Sequence, residues 1–397
     1  MRRVPHLLLA LIFVAFTLDQ LSICVQKGDR PLRRLDGQSE RNSSDGARHF
    51  VQDGFRATSF LARYESPLNL NSGSAAIGGS NIYTHYFPGP DYVLAASYAL
   101  FGADATVFQW TRLVPLAHVL GSVLLFLALA QRRLWPGDPW ITVAMAALML
   151  LPPAVRDWTL SLHGHAYSSA YVLLGLCLGL SADEGRPERW RLGGAFVLGL
   201  LSNYMLLTAA FVVFAAPLVG SLLSPDGRSH RAGFWSSIMV GLGLVTAFGL
   251  HFLQIASQFG WSEARLDQFG VLAFRSAGGG TGVSLGELFG QYQTDVTRFF
   301  GLSPLAMMLI GLWMAFCYPG QRRSRLRLAL AVILAGSASW TWIFVMRQHA
   351  FEHGHVNPRI FLLVYVCGLA CAGALAAARR SSHSSRAASG QTKGTLA

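Results

Sequence analysis

Apolar runs recur along the whole chain, separated by short loops of two kinds. One kind is crowded with arginine: Arg132 and Arg133; Arg186, Arg189 and Arg191; Arg228 and Arg231; Arg322, Arg323, Arg325 and Arg327; Arg379 and Arg380. The other kind carries histidine, aromatic residues and glycine. About 20 apolar residues cross a bilayer as a helix, and short basic loops stay on the cytoplasmic side. The alternation therefore predicts an all-α polytopic membrane protein whose chemistry lies on its outer face.

The runs at 6–25, 108–130, 140–152, 166–180, 234–256, 302–318, 328–345 and 360–377 each read as one span. The stretch 192–223 is 32 residues long, which is ~48 Å as one helix against an apolar core of ~30 Å. A single span there would put Arg228 and Arg231 outside, whereas a hairpin hinged near Asn203 and Tyr204 keeps both flanking basic loops inside. The hairpin brings the expectation to about ten spans with both termini cytoplasmic, in the inner (plasma) membrane of a bacterium. Residues 1–26 are an N-terminal anchor that Arg2 and Arg3 hold inside, with no small-x-small cleavage site after the run. Residues 27–106 form a large first outer loop, in which 92–101 is apolar but only long enough for an interfacial helix. Residues 107–380 make the bundle, with outer loops at 153–165, 257–301 and 346–358, and the Ser-rich 381–397 reads as a disordered cytoplasmic tail.

Composition narrows the class. The 397 residues are 52% hydrophobic and 13% charged, with a mean hydropathy of +0.39, which excludes a soluble globular domain. The net charge of +12 does not imply a nucleic-acid partner, because the basic residues are nearly all arginines in short clusters between apolar runs. Cys24, Cys177, Cys317, Cys367 and Cys371 fall in or beside apolar runs without disulfide or metal-ligand spacing. They read as small packing residues.

Candidate chemistry collects on the outer side. His49, His85, His163, His165, His349, His353 and His355, out of twelve histidines, map there. Arg347 opens a loop with three imidazoles and Glu352, placed to hold a phosphate at headgroup level through paired donors and a charge that does not titrate away. Interfacial anchoring by snorkelling is the plainer role for the same arginine. His163 and His165 suit a metal only on extended backbone, and no third ligand has diagnostic spacing. The first outer loop carries Asp29, Asp36, Glu40, Asp45 and Asp53, and Asp19 sits in the outer third of the first run, where an ionisable group is costly.

Two segments of this loop carry a resemblance: 44–55, with Asp45-Gly46-Ala47-Arg48, and 83–90, Tyr83-Thr84-His85-Tyr86-Phe87-Pro88-Gly89-Pro90. With Ala99-Leu100-Phe101-Gly102, Leu162-His163-Gly164-His165 and Arg347-Gln348-His349-Ala350-Phe351, they resemble the GT-C membrane glycosyltransferases, in the branch related to bacterial protein O-mannosyltransferases and aminoarabinose transferases. The resemblance implies transfer of a sugar, inverting in outcome by a single base, from a polyprenyl-phosphate donor to an acceptor on the outer face. No cofactor is assured by it, and some relatives use a divalent metal. It assigns Asp45 as general base with Glu40 as competitor, Arg347, His349, His163 and His165 to the donor phosphate, and His85 and Tyr86 to sugar or loop positioning. The family's Asp-Glu stands here as Asp45-Gly46 or Ser39-Glu40, and its Pro-Pro as Phe87-Pro88. The rival class is a transporter or flippase for a lipid-linked or anionic substrate, which would place polar residues at midplane in broken helices; a silent membrane protein that binds a partner through its outer loops is the third reading.

Overall fold

The computed structural model describes residues 4–30, 37–64, 81–84, 87–181, 188–205, 210–224, 230–277, 284–352, 354 and 357–391. His85, Tyr86, His353 and His355 lie outside them, as do the side chains of His165 and His349.

Helix α1 (Val4–Lys27) is the N-terminal span. It turns Leu7, Leu11, Val14 and Leu18 outward, as a lipid-facing helix must, and buries Phe16, Gln20 and Cys24. A cap subdomain follows: α2 (Gly37–Gln52), a 3-10 turn at Phe55–Thr58, the two-residue strands β1 (Ala62–Arg63) and β2 (Ile82–Tyr83), and α3 (Gly89–Phe101). The strands pair antiparallel, Ala62 opposite Tyr83 and Arg63 opposite Ile82. Small residues on one face of α2 let it pack closely on α3, and Ala47, Phe50, Leu94, Ala95 and Tyr98 form a separate small core with Ala62 and Tyr64. Helix α3 has 13 residues and leaves Leu100 and Phe101 exposed at its end, the interfacial helix expected at 92–101.

The bundle begins at α4 (Ala105–Thr111), which Asp104 caps by accepting from the Val107 amide, and α5 (Leu113–Arg133). It continues through α6 (Pro139–Leu150), α7 (Pro153–Trp158), α8 (His165–Leu180), α9 (Glu188–Met205), α10 (Ala210–Leu223) and α11 (His230–Phe259). The 192–223 stretch carries α9 and α10, and 206–209, beside the expected hinge near Asn203 and Tyr204, lie outside the described residues. Helices α9 and α11 touch backbone to backbone, since a side chain on Gly199 or Gly243 would run into the carbonyls of Val240 and Phe196.

The segment 257–301 is not an open loop. It holds α12 (Trp261–Ala277) and α13 (Leu285–Phe300), the latter started by a reciprocal Ser284–Glu287 capping box. The chain then bends by 69° into α14 (Pro304–Phe316). Helix α15 (Arg322–Val345), the short α16 (Arg347–Glu352) and α17 (Asn357–Ile360), and α18 (Leu362–Gln391) complete the chain. Helix α18 runs on through Ser381 to Gln391, where composition predicts an irregular tail.

The described residues of the predicted apolar runs are largely helical. Among the described residues, five helices are long and apolar enough to cross a membrane, six if α13 and α14 are one bent span, against the expectation of about ten. Helix α6, with 12 residues, reaches only ~18 Å, short of the ~30 Å core.

Three contacts between distant segments report which helix ends lie together. Arg156 of α7 grips Asp19 of α1 through Nε at 2.7 Å and Nη2 at 2.5 Å. The Cys24 thiol points at the Gln109 carbonyl, 3.2 Å away. At the opposite end, Arg380 meets Asp138 at 2.6 Å. The segments around Arg156 and Gln109 thus lie together with the end of α1, and those around Asp138 and Arg380 lie together at the other end of the bundle.

Candidate active site

An ion pair that sequence reading did not foresee anchors the cap to the bundle. Arg112, between α4 and α5, is fully buried and holds Glu40 of α2 with two parallel bonds, Nη1 to Oε1 at 3.0 Å and Nη2 to Oε2 at 3.1 Å. Glu40 also accepts from the Leu162 amide at 3.0 Å, and Arg112 donates to the carbonyls of Leu160 and Arg30. A buried carboxylate bound on both oxygens is poorly suited to accept a substrate proton, so Glu40 loses its place as competing base for a physical reason: it secures α2 to the 153–165 segment.

One turn along α2, Asp45 stands half-buried at the surface of the cap. Beneath it, Ser44 and the Tyr98 hydroxyl are 2.9 Å apart. Burial pushes the Tyr98 phenol up, opposed by the Ser44 hydrogen bond and Arg48, while Asp45 adds to the rise. Asp45, Arg48 and Tyr98 therefore share one electrostatic neighbourhood.

The next residue, Gly46, reveals the second carboxylate. A Cβ there would lie 3.5 Å from Cγ of Asp91, 3.2 Å from the Tyr64 ring and 3.3 Å from Ala62. Asp91 of α3 is buried, and its Oδ1 is enclosed without a hydrogen-bond partner. Burial raises its pKa from 3.8 to about 7, with a hydrogen bond from Ser43 opposing. Where the resemblance expects a glutamate beside Asp45, this chain has glycine, and a carboxylate from the neighbouring helix fills the space. The signal for Asp91 was an acid directly after Pro-Gly-Pro at the start of an apolar run. That for Arg112 was a lone arginine inside another.

The 83–92 segment ties the cap to the outer helices. The Thr84 carbonyl faces His251 Nε2 of α11 at 2.8 Å and accepts from Gln268 of α12 at 3.0 Å. Phe87 packs on the rings of His251 and Tyr204, with centroids 4.3 and 5.3 Å away. The Tyr92 hydroxyl donates to the Phe60 carbonyl at 2.5 Å. Phe60 and Ser59 both hold positive φ, 66° and 50°, which is uncommon for residues with side chains. They border a cavity of about 440 Å³ lined by Arg56, Phe60, Tyr204, Leu250, Leu253 and Gln254.

Arg347 opens α16, which packs on α12 and α13. It is half-buried, and its Nε is enclosed with no hydrogen-bond partner. Gln291 of α13 fixes this segment by donating to the Phe351 carbonyl at 2.9 Å, and a side chain on Gly354 would strike the Asp295 carboxylate. Arg359, absent from the sequence-based set, is also buried here. His163 is half-buried next to the Leu162 amide that Glu40 holds. The described residues thus bring Asp45, Asp91, His163 and Arg347 to one end of the bundle. No group of three His, Cys, Asp or Glu side chains among the described residues is arranged to hold a metal ion.

No protein-family model matches this sequence, and no curated protein matches it either. Solved structures do. ArnT from Cupriavidus metallidurans bound to undecaprenyl phosphate superposes with a TM-score of 0.57 at 16% identity, over 90% of this chain and 59% of that one. The same enzyme in the apo state gives 0.49 at 17% identity over 91% and 59%, and the apo oligosaccharyltransferase of Archaeoglobus fulgidus 0.43 at 12% over 90% and 50%. The chain spans about three-fifths of the length of the ArnT structures. At these identities the likeness speaks to architecture, and this chain has the GT-C fold of membrane glycosyltransferases.

Proposed function

We propose that this protein is a membrane glycosyltransferase that moves a sugar from a polyprenyl-phosphate carrier to an acceptor on the outer face. The observation that carries the reading is the placement of Asp45, a buried Asp91 and an incompletely bonded Arg347 at the same end of a GT-C fold. A base is needed to take the acceptor's proton, and a cation to stabilise the phosphate that leaves. ArnT, whose fold this chain shares, was solved with undecaprenyl phosphate bound, which supports a lipid-phosphate donor here.

Asp45 is the general base. It is the accessible member of the carboxylate pair, and the attacking oxygen's proton passes to it as the new glycosidic bond forms and the bond to phosphate breaks. Asp91 is a positioning residue: it fills the space against Gly46, next in sequence to Asp45, and when ionised adds negative charge to the α2–α3 seam on which Asp45 is carried. Arg347 directs its enclosed Nε–H to the departing phosphate, and His163 and His349 stand in the same outer segments. His85 and Tyr86, outside the described residues, belong to the segment that Thr84 fixes and retain the role of orienting the sugar.

The test is turnover by purified protein with undecaprenyl-phosphate-linked mannose and, separately, aminoarabinose, reading free undecaprenyl phosphate. Release that stops in Asp45→Asn, with the fold intact, is the expected result. Undiminished release in that variant removes the base assignment. Tight binding of undecaprenyl phosphate with transport of the lipid and no sugar release, whatever donor is supplied, would move the chain to the transporter class.

A further inference from the structure

The cavity of about 430 Å³ between α5, α8 and α9 lies at the opposite end from the proposed active site. It is lined by Leu125 and Arg132 of α5, Tyr171 and Ser181 of α8, and Gly194 and Leu201 of α9. These are the helix ends that run into the arginine loops. From Arg132 back to Leu125 is ~10 Å along α5, and from Ser181 to Tyr171 ~15 Å along α8, so the slot is about one leaflet deep in a core of ~30 Å.

Its walls are apolar and partly open. Leu125 and Leu201 are 45% and 41% exposed, and a Cβ added to Gly194 meets nothing within 4 Å. The mouth is cationic. Arg132 lines it, and Arg191 stands one turn before Gly194 on the same face of α9, since residues three apart share a face. The Arg191 side chain is 11% exposed, and its Nε is enclosed without a hydrogen-bond partner while Nη2 bonds Glu188 at 3.2 Å. The level of this mouth is marked by Trp190, 69% exposed with the Arg189 guanidinium 5.9 Å over its ring. A tryptophan so placed sits among lipid headgroups.

We infer that this slot holds one acyl chain of an anionic phospholipid from the cytoplasmic leaflet, with Arg132 and Arg191 on its phosphodiester. Slot depth selects a chain confined to one leaflet, and the two guanidiniums select a headgroup with net negative charge. The site is separate from the donor site and does not depend on the proposed reaction. It depends only on the arginine loops facing the cytoplasm.

The experiment is native mass spectrometry of the delipidated full-length protein, titrated with phosphatidylglycerol and with phosphatidylcholine of identical acyl chains. Wild type should retain phosphatidylglycerol about tenfold more strongly, the scale of a charge-assisted hydrogen bond. The Arg132→Gln, Arg191→Gln double variant should bind both lipids equally, and Gly194→Phe, which fills open space, should weaken both. Equal retention of the two lipids by wild type would overturn the inference, and that comparison needs no variant to fold. Unchanged retention in Gly194→Phe would overturn it too, as would undecaprenyl phosphate displacing phosphatidylglycerol in wild type but not in Gly194→Phe, which would give the slot to the carrier lipid.

Discussion

Arginine does different work at the two ends of this molecule. At the end bearing Asp138 and Arg380, Arg132, Arg322, Arg323, Arg325, Arg379 and Arg380 are exposed, and the Arg380–Asp138 pair stands largely in solvent on the arginine side. At the other end Arg112 and Arg359 are buried, and Arg347 is half-buried with one donor unspent. Exposed guanidiniums in short loops bias such loops to the cytoplasmic side and add little stability. Enclosed ones must be matched by carboxylates, carbonyls or a ligand, because an unpaired buried charge is costly. Burial, rather than residue type, separates the two kinds of work, and Arg191, 11% exposed at the arginine-loop end, and Arg156, 54% exposed at the other, mark where the contrast between the ends is not complete.

The largest effect that tests this contrast is on Arg112. Arg112→Ala leaves Glu40 buried and unpaired, so a loss of about 3–5 kcal/mol is expected, read as a fall in thermal unfolding temperature in detergent; an unchanged transition would mean that the pair does not hold the cap. Asp45→Asn should lower turnover by about 10²–10⁴-fold, the usual contribution of a general base, while leaving the unfolding curve in place. Arg347→Gln should weaken binding of undecaprenyl phosphate by about 1.5–3 kcal/mol, the value of a hydrogen bond to a charged group, measured by titration.

Asp91 adds a pH signature. Its carboxyl is raised from 3.8 to about 7 by burial, so the folded protein holds a proton that the unfolded chain releases at lower pH. The stability tied to this proton is complete below about pH 4 and is lost as pH rises through about 7. Asp91→Asn should therefore gain stability relative to wild type between pH 4 and 7, by at most about 4 kcal/mol for a shift of this size. It should also erase an acidic limb near pH 7 in the turnover profile, where wild-type activity falls as Asp91 takes up its proton. A limb that persists in the variant would assign it to another group. The smallest effect is at the rim: Arg380→Gln should change stability by less than about 1 kcal/mol, and a larger loss would erase the distinction between the two ends.

Much of this fold could be read from periodicity. The described residues of the apolar runs are largely helical, the 192–223 stretch carries α9 and α10, and the 92–101 segment is a short helix of the cap. Hydropathy locates apolar helices but not crossings, so α6 and α8 read as spans although they are short. The 257–301 segment read as loop because α13 is amphipathic, burying Leu288, Tyr292, Val296 and Phe300 against the bundle while polar residues fill its other face. The site was legible in part. Asp45 and Arg347 stood out by residue type and position, but what Glu40 does depends on Arg112, 72 residues away, and Asp91 gains its meaning from the gap at Gly46. No local pattern encodes either pairing, because each is made when α2 packs against helices that follow it.

The end carrying Asp45 and Arg347 is expected to face outward while the exposed arginine clusters face the cytoplasm. Single cysteines at Arg48, Arg298, Arg323 and Arg379, in a Cys317→Ser background, would be labelled in intact cells with a membrane-impermeant maleimide. The account predicts labelling at 48 and 298 without permeabilisation, and at 323 and 379 only after it. Labelling of 48 and 298 on opposite sides, or of 323 and 379 from outside, would contradict it.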